Sequence, residues 1–285
     1  MLRVSTPMLR ILTQSSVRSI STRSEKLCYL DHLTGDDAGI SVLNLNRPSA
    51  KNAISKSFLS QFRDALAEVR FSGESRVLLL RSLVDGVFCA GADLKERAGM
   101  SPSEVSQFLY GLRNAFRELE TMPIPTIASI DGAALGGGLE MALSCDLRIA
   151  GSGAKIGLPE TKLAIIPGAG GTQRLSRLIG TAKAKELIFT GEALTAEKAA
   201  HLGIVNHAVS GSSFDKALDI AQRILPQGPI AIRMAKLAID KGAQTDIDTG
   251  LEIEQAYYAQ VIPTEDRTEG LKAFKEKRKP VYKGK

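Results

Sequence analysis

Hydrophobic periodicity divides the chain into an alternating stretch followed by a purely helical one. Over residues 39–46 apolar and polar side chains alternate up to the turn at Arg47 and Pro48, which predicts a half-buried strand. The period changes over 56–70, where Phe58, Leu59, Phe62, Leu66 and Val69 share one helical face and Lys56, Arg63, Asp64 and Glu68 lie mostly away from it. The unbroken apolar run 77–80 predicts a buried strand, and 103–120 reads as a helix that Pro123 and Pro125 bring to an end. Further buried strands are predicted at 126–130 and 147–150, with helices at 138–144 and 181–189. Residues 25–212 therefore read as an α/β core. From residue 213 the strands stop, and 214–225, 230–241, 247–260 and 265–277 read as helices separated by Pro226, Gly228, Gly242 and Pro263. Their apolar faces have little local partner, so they must pack on the core or on another subunit, and a symmetric oligomer is expected.

Composition narrows the class. With 285 residues, 44% hydrophobic and 24% charged, the chain suits one large domain, or one with an appendage, around a sizeable core. The most apolar stretch, 123–143, carries Asp131 and Glu140, so no membrane span is predicted. Cys28, Cys89 and Cys145 are too few and too far apart for a disulfide framework or a zinc site, and Cys89 and Cys145 read as buried small apolar residues. The formal charge of +6 is concentrated at one end: residues 1–24 hold Arg3, Arg10, Arg18 and Arg23, six serines, three threonines and no acid. That composition predicts a mitochondrial transit peptide over 1–24, cleaved near residues 18–21, and a matrix location. Without those four arginines the balance is 33 basic against 31 acidic residues, which is no electrostatic footprint for nucleic acid.

Candidate chemistry begins with glycine, concentrated in 132–140 (Gly-Ala-Ala-Leu-Gly-Gly-Gly-Leu-Glu) and 166–174 (Ile-Pro-Gly-Ala-Gly-Gly-Thr-Gln-Arg). Neither segment has the Gly-Lys-Ser/Thr of a P-loop or the GxGxxG spacing of a dinucleotide fold, so kinase, NTPase and dinucleotide readings fail. Two uses stay open. The glycines serve tight packing, or they let free amides at a helix N-terminus face an oxygen that becomes negative. Glu140 closes the first segment and Glu160 precedes the second. Two carboxylates in one apolar cleft would ionise apart, one as base and one as proton donor, as adding water across a bond requires. Otherwise they are solvated charges. His32, His201 and His207 sit in no HExxH or GxSxG setting, Ser129 and Ser144 have no evident base, and no metal-ligand set is present.

Residues 88–95 (Phe-Cys-Ala-Gly-Ala-Asp-Leu-Lys), 131–140, Pro159-Glu160 and 165–175 together resemble the enoyl-CoA hydratase/isomerase (crotonase) superfamily, over about residues 27–285. The resemblance implies a crotonase (ClpP-like) spiral of repeated ββα units. It also implies a helical trimerisation region over 213–285, and a homotrimer or dimer of trimers. The activity implied is a lyase reaction on an acyl-CoA, in which the backbone amides of Ala92 and Gly137 form an oxyanion hole for the thioester oxygen. Glu140 would be the base and Glu160 the proton donor to C2. Contacts to CoA or substrate would come from Ala90, Ala92, Asp93, Leu94, Lys95, Gly136 and Gly137, with Phe274 and Lys277 closing over the adenosine. No metal is implied, and no cofactor beyond the CoA carried by the substrate. Family isomerases generally keep only the second carboxylate, so the presence of both implies hydration.

Within the family, segments 92–97, 160–167 and 258–267 look most like mitochondrial hydratases of leucine breakdown, and a mitochondrial paralogue branch shares nearly the same signatures. General short-chain enoyl-CoA hydration is the alternative. A branched acyl chain with a distal carboxylate would need a cation or amides at the end of the pocket, and Arg97, Arg113 and Lys162 are the candidates. Some relatives also bind AU-rich RNA through a lysine-rich first helix. Here the helix read over 51–76 carries Lys51, Lys56, Arg63, Arg70 and Arg76, interrupted by Asp64, Glu68 and Glu74, which argues against RNA.

Overall fold

Residues 26–285 are described by a computed structural model, and the expectation of a transit peptide falls outside that range. Among the described residues ten strands form two sheets, and the chain passes repeatedly from one to the other. The larger sheet has the order β1 (Cys28–His32), β2 (Ile40–Leu45), β3 (Val77–Ser82), β5 (Thr126–Ile130), β7 (Leu147–Gly151) and β10 (His207–Val209). Only β1 runs antiparallel to its neighbour. The smaller sheet is β4 (Val87–Cys89), β6 (Ala133–Leu135), β8 (Lys155–Gly157) and β9 (Ala193–Thr195), with β9 antiparallel at the edge. Thus β3, β5 and β7 are each followed directly by β4, β6 and β8, and then by helices. Helices α2 (Leu94–Ala98) and α3 (Pro102–Glu120) follow β4, α4 (Gly137–Leu143) follows β6, α5 (Gly171–Ile179) and α6 (Thr181–Thr190) follow β8, and α7 (Ala196–His201) follows β9. This is the expected spiral of ββα units.

One strand reading is corrected. Residues 39–46 were expected to be half-buried, yet all six residues of β2 are buried, because the large sheet is covered on both faces. Leu43 and Leu45 join Leu78, Leu80, Ala128 and Ile130 in the main core. Ile40 and Val42 join Val77, Leu79, Ile127 and Ile149 beneath α8 (Ser213–Ile224), whose Ala217 and Ala221 pack there. The polar positions of β2 are internally paired: Ser41 Oγ lies 2.6 Å from Ser75 Oγ, and Asn44 donates to Asp31 and accepts from Arg81. The same two-sided burial makes 77–80 a continuous apolar run.

Helix starts follow local capping. The first helix, α1 (Lys56–Ser72), begins where Ser55 Oγ accepts the Phe58 amide, and α3 begins with a Ser101/Glu104 capping box around Pro102. The span 51–76 read from its charges is longer than this helix: Lys51 occupies a left-handed turn at φ 52°, and Arg76 lies past Gly73, donating to the carbonyls of Leu225 and Gln227. Lys56 pairs with Glu104, Arg63 with Glu118, and Arg70 donates to the carbonyls of Glu118 and Thr121. Four of the five cations are thus held in intramolecular contacts rather than set out as a stripe for phosphates.

Beyond α8, helices α9 (Pro229–Gly242) and α10 (Ile247–Val261) pack on each other, and α11 (Glu265–Lys275) follows. Ile239, Ile247, Leu251 and Tyr258 remain exposed in the single chain. Among the described residues no helix is long and apolar enough to cross a membrane.

Backbones approach closely at Gly138, where a Cβ would collide with the carbonyl of Cys89, so β4 and α4 can meet only across a residue without a side chain. Gly138→Ala is expected to lower stability by about 1–3 kcal/mol or more. Gly211→Ala, which enters open space at an ordinary backbone angle, should stay within about 0.5 kcal/mol. Urea unfolding of the two variants compares them, and equal midpoints would show that the Gly138 contact relaxes freely.

Candidate active site

The parallel strands β4, β6 and β8 end on one edge of the small sheet, and the chain leaving each of them supplies one wall of a cleft. After β4, Ile54 N donates to Gly91 O at 2.8 Å and Asp93 N donates to Ile54 O at 3.0 Å, pinning the backbone on both sides of Ala92. After β6, Gly136 adopts φ 53° and ψ −125°, a conformation that side chains disfavour, and turns the chain into α4. A Cβ on Gly137 would lie 3.5 Å from Ala92 N, so the two backbones are in contact. Among the described residues the amides of Ala92 and Gly137 donate to no protein group, and both residues line the cleft.

Glu140, in the first turn of α4, is 2% exposed. Its Oε1 accepts the amides of Ala169 at 2.8 Å and Gly171 at 2.7 Å. The second glycine segment is therefore a clasp on this carboxylate, a role its sequence did not suggest. The clasp is held from behind. Arg174 Nη1 donates to the Ala169 carbonyl while its Nε and Nη2 grip Glu120, and Arg113 Nη1 donates to the Gly168 carbonyl. Burial pushes the Glu140 carboxyl upward, opposed by the two amides and by the charges of Arg174 and Arg113.

Glu160 follows β8 at the start of a single 3₁₀ turn, Glu160–Leu163. Its Oε2 is buried with no hydrogen-bond partner among the described residues. Burial, and secondarily the negative charge of Glu140, push this carboxyl up to about 7. One cleft thus holds a carboxylate supplied with donors beside one that favours its proton, an arrangement suited to moving one proton on and another off the same molecule. The remaining walls are apolar, from Leu109 and Leu112 of α3 and from Leu163, Ile165 and Ile166, with Arg97 of α2 the only cation in the lining among the described residues.

Of the residues singled out in the sequence, Ala90, Ala92, Leu94, Gly136, Gly137, Glu140 and Glu160 meet at this cleft. Asp93 and Lys95 do not line it. Asp93 caps α2 through the amides of Lys95 and Glu96 and pairs with Arg47 at 2.8 Å, while Lys95 is exposed. Phe274, 86% exposed, and Lys277, past the end of α11, also lie off its lining. The thiols of Cys89 and Cys145 are buried and pushed up to about 12 by desolvation, which leaves them unreactive. Ser129 and Ser144 hydrogen-bond Ser213 Oγ and the Glu140 carbonyl respectively. Sequence reasoning missed Ala169 and Gly171 as donors to Glu140, and the available signal was the second glycine segment, whose amides needed a partner.

Residues 35–285 match the sequence family described as Enoyl-CoA hydratase/isomerase. A mouse protein named enoyl-CoA hydratase domain-containing protein 2, mitochondrial, is 55% identical over 270 residues, 93% of this chain and 91% of its own length. Human methylglutaconyl-CoA hydratase, mitochondrial, is 51% identical over 271 residues, 93% of this chain and 80% of its own. The crystal structure of enoyl-CoA hydratase from Bacillus anthracis superposes with a TM-score of 0.88 at 46% identity, covering 91% of this chain and all of that one. Sequence and fold agree: the chain belongs to the enoyl-CoA hydratase/isomerase (crotonase) family, which acts on acyl-CoA thioesters, and is a hydro-lyase of the enoyl-CoA hydratase type.

Proposed function

We propose that this enzyme adds water across the double bond of a 2-enoyl-CoA thioester, with Glu140 as base, Glu160 as acid, and the Ala92 and Gly137 amides as the oxyanion hole. The observation that carries this reading is the unequal pair of glutamates beside two unengaged amides in one cleft. Glu140 takes a proton from water as the water oxygen bonds to C3. Electrons of the C2–C3 double bond move onto the thioester oxygen, where the two amides receive the charge, each such donor contributing about 3–4 kcal/mol to the barrier in comparable sites. C2 then takes the proton of Glu160, the thioester carbonyl reforms, and the product is a 3-hydroxyacyl-CoA. One proton has passed to Glu140 and one has left Glu160, so exchange with solvent restores the resting pair. Ala90, Leu94 and Gly136 would contact the CoA arm or the acyl group, while Asp93, Lys95, Phe274 and Lys277 carry no part of the reading.

The substrate we assign is 3-methylglutaconyl-CoA of leucine breakdown, supported by 51% identity to the human protein named for that reaction. A mitochondrial location is supported by the names of the relatives and by the acid-free, arginine-bearing composition of residues 1–24. Assembly through the C-terminal helices is supported by the apolar residues they leave exposed.

Loss of enoyl-thioester absorbance should be faster with 3-methylglutaconyl-CoA than with crotonyl-CoA. The reverse order would assign the enzyme to general short-chain hydration, and turnover of neither would remove the hydratase reading. Glu140→Gln and Glu160→Gln should each lower kcat about 10²- to 10⁴-fold with little change in KM, as steady-state kinetics would register. Hydration needs Glu160 protonated, so kcat/KM for hydration should fall as pH rises through about 7, the value to which Glu160 is raised. The residual activity of Glu160→Gln should lack that limb in a pH–rate profile. The folded protein also holds this proton more tightly than an ordinary glutamate near 4.5, so its contribution to stability should decline as pH rises from there toward 7.

A further inference from the structure

We infer that Arg97 is a specificity-determining residue that receives a carboxylate at the far end of the acyl chain, so that the cleft selects dicarboxylic monothioesters over neutral enoyl thioesters. This rests on the hydratase reading and adds to it the group that recognises the acyl tail. Of the three cations considered from the sequence, the structure brings one to the cleft. Arg113 is tied to the Gly168 carbonyl, and the exposed Lys162 packs its side chain where a Cβ on Gly191 would fall; neither is in the lining. Arg97 is in the lining and only half-exposed.

Its charge is uncompensated. Among the described residues the Arg97 guanidinium has no hydrogen bond and no ion pair, although acids surround it in sequence. Asp93 is committed to Arg47, Glu96 accepts the Lys56 amide, and Glu104 serves Lys56 and the Ser101 cap. The wall it shares with Leu109, Leu112, Leu163, Ile165 and Ile166 is apolar. A partly desolvated cation on an apolar wall is costly unless an anion meets it, and a guanidinium matches a carboxylate in a two-pronged fit.

The position also suits an acyl tail. Arg97 is five residues beyond Ala92, whose amide marks the thioester end, and those residues lie mainly in α2, which rises about 1.5 Å per residue. A five-carbon diacid thioester places its free carboxylate four bonds from the thioester carbon, and Ala92 and Arg97 line one cleft. At the reacting end the same carboxylate would meet the Glu140 carboxylate and be repelled.

The test compares wild type, Arg97→Met and Arg97→Lys in the full chain, with 3-methylglutaconyl-CoA, crotonyl-CoA and the pantetheine thioester of crotonate. Arg97→Met should lower kcat/KM for the dicarboxylic substrate about 10- to 100-fold, mainly through KM, and leave crotonyl-CoA within about threefold. Arg97→Lys should recover part of the loss. An equal loss on both CoA thioesters that vanishes with the pantetheine thioester would assign Arg97 to the phosphates of CoA and overturn the inference. Unchanged kinetics with the dicarboxylic substrate would overturn it as well. If wild type hydrates crotonyl-CoA but not the dicarboxylic substrate, this inference falls and the hydratase reading stands; turnover of no thioester removes both.

Discussion

The site depends on two backbone amides aimed at one buried oxygen. Glu140 is almost fully withdrawn from water, and a carboxylate so placed would neutralise itself without donors, because desolvation costs far more than a single contact returns. Ala169 and Gly171 supply those donors at 2.8 and 2.7 Å. Their orientation is imposed from the opposite side of the same loop, where Arg113 and Arg174 take the carbonyls of Gly168 and Ala169. Because Arg174 is itself gripped by Glu120 at the end of α3, the length and position of that helix reach through one guanidinium to the ionisation of Glu140.

Burial raises both carboxyls, but Glu160 lacks the donors that Glu140 has. It faces the same cleft, yet one of its oxygens is buried with no donor, and burial together with the charge of Glu140 raises its affinity for a proton. Two chemically identical side chains are given different hydrogen-bond surroundings. In the proposed hydration that separation divides the labour, since the group that must accept a proton is the one supplied with donors, and the group that must give one already favours holding it.

The spiral explains why these parts meet. Each ββα turn places one strand in the small sheet, and because β4, β6 and β8 are parallel their carboxyl ends share an edge. Successive turns therefore deliver Ala92, then Gly137 with Glu140, then Glu160, to one cleft. The close contact of Gly138 with Cys89 lets the first two turns approach until their free amides face the same space. Arg97 lies on the short helix that leaves the first turn and lines the same cleft, where the proposed reading sets the acyl tail.

Periodicity was sufficient to read the central helices and buried strands, because each depends on neighbours within a turn or two of sequence. The order of motifs around Ala92, Gly137, Glu140 and Glu160 was sufficient to identify the family, since spacing and residue type survive in one dimension. The strand over 39–46 was misread as half-buried because its polar positions are satisfied by partners such as Ser75 and Arg81 that lie over thirty residues away. The short strands β4, β6 and β8 carry too few residues for a period to register. Only the tertiary structure decided that the second glycine segment clasps Glu140 across 29 and 31 residues of chain. It alone decided that burial raises the Glu160 carboxyl to about 7, and which of three cations stands in the cleft. Ionisation and charge compensation are sums over everything nearby in space, and a sequence lists neighbours only along the chain.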